Sequence, residues 1–161
     1  LPVTFYESTN DLPDFLDYSM ENRTYRYFRG VPQYAFGYGL SYTTFEVGKG
    51  KISKKSMKTD GSVKITVPVE NTGDREGTET IQVYVKALDY AEATIKSLKG
   101  FQKINLKAGE KGKVEIVLDG ESFQYYDPSI DELSTRTGRY QILYGTSSLE
   151  KDLKSIDFVV K

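Results

Sequence analysis

The 161-residue chain contains no cysteine, no histidine and no tryptophan. Without cysteine there is no disulfide, no thiolate nucleophile and no Cys-based zinc site. Without histidine the usual general base and the commonest metal ligand are missing. Any catalysis would rest on carboxylates, Tyr, Lys, Ser or Thr, and no cofactor is expected. No apolar run approaches the roughly 20 residues of a membrane-spanning helix. A net charge of −1 gives no field to draw the chain to nucleic acid or to an anionic membrane. It opens on Leu1-Pro2, without Met and without the basic and apolar regions of a signal peptide, as expected of a piece of a longer polypeptide.

Aromatic residues are plentiful instead, with 13 Tyr and 8 Phe. In the first 42 residues they follow no sustained period of 2 or 3.6. Arg23, Arg26 and Arg29 are interleaved there with Tyr25, Tyr27 and Phe28. That mixture superficially suits single-stranded nucleic acid, but the acidic stretch Asp11–Glu21 beside it argues otherwise. Guanidinium groups also stack on Tyr rings within and between domains. So many rings need burial, and the segment is expected to pack against another domain.

Other candidate chemistry is weak. Gly37-Tyr38-Gly39 begins a GxGxxG pattern, but Tyr42 holds the third place and a strand follows where a phosphate-binding helix should start. Gly109-Glu110-Lys111-Gly112 reads as a hairpin turn. The carboxylate pairs Asp14/Asp17, Asp119/Glu121 and Asp131/Glu132 are too close in sequence to straddle a glycosidic bond at about 5–10 Å, and solvation is their simplest role. Asn22-Arg23-Thr24 matches a glycosylation sequon, a pattern common by chance.

From Tyr42 onward the period becomes 2. Strands are expected at Thr43–Val47, Val63–Val69, Ile81–Ala87, Leu98–Leu106 with a bulge at Gly100, Val114–Leu118, Phe123–Tyr126 ended by Asp127-Pro128, Gly138–Gly145 and Leu153–Val160. The lysine-rich stretch Lys49–Lys58 reads as a solvated connection or edge protector, and Pro68 as the mark of an edge or bulge. About seven or eight strands at even spacing, with no convincing helix, predict an all-β sandwich of immunoglobulin or fibronectin type III kind. Tyr140 stands where a tyrosine corner would be, and a core Tyr without a special bond is the alternative.

Several motifs occur in series: LPVTFYESTNDLPDF, YSMENRTYRYFRGVPQYAFGYGLSYTTF, VPVENTGDREGTETIQVYV, LKGFQKINLKAGE and GRYQILYGTSS. In this order they resemble the C-terminal end of glycoside hydrolase family 3 enzymes, over nearly the whole chain. Ala35 stands where Pro is common, and no Pro precedes LKGF. The resemblance implies that residues 1–42 are the tail of a preceding α/β domain and a linker, and residues 43–161 a fibronectin type III-like sandwich. It implies a retaining exo-acting β-glucosidase or β-xylosidase whose Asp nucleophile and Glu acid/base lie upstream, with none of the catalytic residues here. The parent would be periplasmic or secreted and act on β-linked oligosaccharides. Arg23, Tyr25, Arg26, Tyr27, Phe28, Phe36, Tyr38 and Tyr42 are expected to pack at the interdomain surface, bracing the upstream catalytic domains. The alternative is a carbohydrate-binding or protein-interaction module.

Overall fold

Alternation builds the long strands. In β4 (Ser62–Asn71), Val63, Ile65, Val67 and Val69 are buried, whereas Lys64 and Pro68 between them face out. The same pattern sends Val114, Ile116 and Leu118 of β7 (Lys111–Asp119) inward. A computed structural model describes residues 1–90, 93–127 and 129–161, so Pro128, the expected strand terminator, lies outside the described residues.

Eleven strands occur among the described residues. One sheet is centred on β4, with β7 along one side and the short β1 (Phe45–Val47) and β2 (Lys51–Ile52) along the other. The second has the order β3 (Ser56–Met57), β11 (Leu153–Val160), β10 (Gly138–Gly145), β5 (Gly77–Ala87) and β6 (Ser97–Leu106). All pairs are antiparallel except β3 with β11. The inner faces share one core, where Val63, Ile65 and Leu118 meet Ile81, Ile142, Tyr144 and Phe158. The architecture is a sandwich. A separate ribbon, β8 (Gln124–Asp127) with β9 (Glu132–Thr135), follows a 3-10 turn at Gly120–Phe123. Its second strand has no alternating apolar set and was not expected from sequence.

Three further expectations need correction. Lys49–Lys58 is more than a solvated connection, because β2 and β3 lie within it. Met57 is buried and Ile52 half-buried, but surrounding lysines hide that signal. Pro68 lies on a central strand. Its carbonyl accepts from Gly48 N at 2.9 Å, so its donorless nitrogen faces the gap between β1 and β2, where no ladder bond is required. A single helical turn, α1 (Thr24–Tyr27), forms where no helix was expected. The bulge at Gly100 is present, since Gly100 pairs with Val83 while Leu98 pairs with Tyr84, leaving Lys99 as the extra residue.

Two polar features pin the sandwich. Tyr140 is fully buried, and its hydroxyl donates to the Arg136 carbonyl at 2.6 Å, four residues upstream. That bond is a tyrosine corner. Tyr140→Phe is expected to cost about 1 kcal/mol, seen as a lower urea midpoint with unchanged slope. An unchanged midpoint would reduce the residue to a space-filling ring.

At the same end of β10, Asp89 accepts from Arg139 N at 2.7 Å and from its guanidinium at 2.9 and 2.6 Å. These Arg139 hydrogen bonds hold the Asp89 carboxyl below its ordinary value of 3.8. A depressed folded-state value contributes stability above the unfolded value, lost as pH falls through the folded one. Asp89→Asn should therefore lower the melting temperature at neutral pH, with the gap to the unsubstituted chain narrowing as pH falls below the ordinary carboxyl value of 3.8. A gap independent of pH would show that the ion pair is not its source.

Candidate functional site

The sequence before β1 lies on the outer face of the five-stranded sheet, and Tyr25 of α1 is its main anchor. Its ring stacks on Phe36 at 4.3 Å between centroids and meets Tyr84 edge-on at 5.8 Å. Its hydroxyl accepts from Leu98 N at 3.0 Å. Two backbone bonds flank this anchor, Ile95 N to the Arg26 carbonyl at 2.8 Å and Ser148 N to the Phe36 carbonyl at 2.9 Å. The segment is thus fastened to the loop before β6 and to the loop after β10.

Gln82 locks the second half of the segment. Its Nε2 donates to the carbonyls of Gly37 at 3.3 Å and Thr146 at 2.5 Å, and its Oε1 accepts from the Tyr84 hydroxyl at 2.5 Å. Gly37 has φ +82°, and a Cβ there would stand 2.1 Å from Gln82 Oε1. Only glycine fits both demands. Burial, followed by the Tyr25 ring, pushes the Tyr84 phenol up from its ordinary value, so it remains a hydrogen-bond donor.

The eight expected packing residues divide into groups. Tyr25 and Phe36 form the contact just described. Phe28 meets Tyr6 edge-on at 4.8 Å, and Tyr38 lies 5.2 Å from Tyr34. The Arg26 guanidinium sits 6.0 Å from the Tyr27 ring centre, at the outer reach of a cation–π contact. Arg23 organises its own loop, donating from Nε to the Ser19 carbonyl at 2.9 Å and from Nη2 to those of Asp14 and Asp17. Tyr42, 92% exposed, touches no other ring among the described residues. Tyr25, Phe28, Phe36 and Tyr38 therefore make ring-on-ring contacts within the chain.

The loop held by Arg23 presents Phe15 and Tyr18, each at least 90% exposed, together with Leu16. Its aspartates serve as turn caps. Asp14 Oδ1 accepts from Leu16 N at 2.8 Å and Asp17 Oδ1 from Ser19 N at 2.8 Å. The Ser19 bonds hold the Asp17 carboxyl below its ordinary value. The remaining carboxylate pairs do similar work, with Asp119 accepting from Ser122 N at 3.1 Å and Asp131 from the Tyr126 hydroxyl at 2.5 Å. Among the described residues no cluster of three Asp or Glu could hold a metal, and no helix is long and apolar enough to cross a membrane.

Sequence reasoning missed Gln82 and Tyr84 because they occupy the outward set of β5. The available signal was the run Ile81–Val85, every residue of which is buried, as in strands covered on both faces.

Comparison with known proteins gives a consistent set. Residues 79–148 match the fibronectin type III-like domain family. The chain is 47% identical over 157 residues to a xylan 1,4-beta-xylosidase of Xylanibacter ruminicola, covering 97% of the chain and 18% of that protein. It is 35% identical to a periplasmic beta-glucosidase of Salmonella typhimurium, covering 92% of the chain and 21% of that protein. The crystal structure of a Bifidobacterium adolescentis GH3 beta-glucosidase superposes with a TM-score of 0.83 at 30% identity, over 98% of the chain and 25% of that protein. The chain thus spans about a fifth to a quarter of the length of these relatives.

Proposed function

We propose, from the premise that this chain belongs to the fibronectin type III-like region of glycoside hydrolase family 3 β-glucosidases and β-xylosidases, that it is a non-catalytic brace for the catalytic domains of a longer β-glycosidase. Residues 1–42 would be the end of an α/β domain and a linker, and residues 43–161 the sandwich. The parent would cleave β-linked oligosaccharides with residues upstream and act in the periplasm or outside the cell.

The observation that carries this reading is the two-sidedness of the first 42 residues. One side is fastened to the sandwich through Tyr25, Phe36 and Gln82. The other side exposes Phe15, Leu16, Tyr18, Leu40 and Tyr42. So much apolar surface on one short segment is what an interdomain contact requires.

Replacing Phe15, Leu16 and Tyr18 together by Ser tests it. In the parent enzyme the triple variant should lower the unfolding temperature by several degrees, because each large apolar side chain buried at the contact is worth about 1.5–3 kcal/mol. In the 161-residue chain the same change should leave unfolding unaltered, and that chain alone should not hydrolyse an aryl β-glycoside. An unshifted parent, or turnover by the chain alone, would refute the brace.

A further inference from the structure

Between the N-terminal segment and the sandwich lies a cleft of about 260 Å³. Thr4, Tyr25 and Phe28 line one side, and Lys96, Ser148 and Glu150 the other. Lys96 is its unusual member. Its side chain is 7% exposed, against 74% for its partner Glu150, and Nζ donates to Oε1 at 2.8 Å. An ammonium group carries three donors, and among the described residues only this one acceptor meets it. A buried donor left unmet is costly. The Thr4 hydroxyl is likewise buried without a partner.

Lys96 supplies donors, the second Glu150 oxygen supplies an acceptor, and Tyr25 and Phe28 supply ring surface. Its volume of about 260 Å³ leaves room for several waters, or for one hydroxylated six-membered ring in their place. Adjacent hydroxyls of such a ring can bridge an ammonium and a carboxylate while its C–H face rests on an aromatic side chain. Because the Lys96–Glu150 pair is already neutralised, a neutral ligand suits the cleft better than an anion, even with the Arg29 side chain at its lining.

We propose that this cleft is a binding site for a single neutral pyranose. Only the choice of sugar rests on the glycosidase reading; the cleft stands without it. Nitrogen-15 NMR of the 161-residue chain tests the site with D-xylose, D-glucose, the open-chain polyol sorbitol and sodium acetate. At least one pyranose should give saturable shifts at the Lys96, Ser148 and Glu150 amides, with millimolar affinity, whereas sorbitol and acetate should not. Lys96→Met, which removes the charge and keeps the volume, should weaken binding at least about tenfold. Phe28→Leu should weaken it less and serves as the second variant if the first does not fold. Shifts that do not saturate, equal response to sorbitol, response to acetate alone, or unchanged affinity in both variants would overturn the proposal. None of those results would bear on the brace, which is measured by unfolding.

Discussion

Replacing Asn71 by leucine is expected to remove a large part of the stability of the sandwich, by about 4 kcal/mol or more, against the 5–15 kcal/mol typical of a domain. Asn71 is fully buried at the end of β4. Its Nδ2 donates to the carbonyls of Arg75 at 2.8 Å and Leu106 at 3.0 Å, and its Oδ1 accepts from Thr43 Oγ1 at 2.7 Å and Gly73 N at 3.1 Å. One amide therefore joins the start of the sandwich, the β4–β5 turn and the end of β6. Leucine matches its bulk and meets none of these groups, each of which costs about 1–3 kcal/mol when buried unmet. Urea unfolding provides the measurement. A loss below about 1 kcal/mol would mean that water or backbone adjustment takes over the bonds.

Tyr25→Ala should act differently, by releasing the N-terminal segment and leaving the sandwich folded. The variant loses a stacked ring, an edge contact and the acceptor for Leu98 N. Tyr25 is half-buried, so a loss of about 2–3 kcal/mol is expected, below the 3–5 of a fully buried aromatic ring. Hydrogen exchange should quicken at the Ile95, Leu98 and Ser148 amides and stay slow along β4 and β10. Uniform acceleration would show instead that segment and sandwich open as one unit.

The strands with clean alternation were legible from sequence. β10 and β11 fall within the expected bounds, whereas β4 is one residue longer at its start and two at its end, and β5 starts four residues early. β7 starts three residues early and ends one residue late, so that Lys111 and Gly112 belong to the strand and not to the expected hairpin turn. A sandwich of immunoglobulin or fibronectin type III kind followed from spacing, and the choice of fibronectin type, with the family, from motifs in series. Elements whose burial depends on distant chain were not legible. β3 consists of two residues, and its parallel partner lies about a hundred positions away. Gln82 looks like a solvent-facing residue until Gly37 and Thr146 are brought to it. At the candidate site, the aromatic character pointed to packing against another domain but could not say which rings face the sandwich and which face away from it. Tyr25 and Phe36 face the sandwich, while Tyr42 faces outward, although all three belong to one aromatic stretch.

The parallel pairing of β3 with β11 also has a mechanical consequence. Val159 N donates to the Lys55 carbonyl at 3.2 Å and Lys161 N to that of Met57 at 2.8 Å. Once the N-terminal segment is released from the sheet and β1 and β2 from β4, a pull from that side, resisted at Lys161, draws the two strands along their common axis in opposite directions. Their hydrogen bonds are then loaded in shear and yield together, whereas an antiparallel hairpin pulled at its open end would unzip bond by bond. A strand of two residues would thus act as a force clasp for the sandwich.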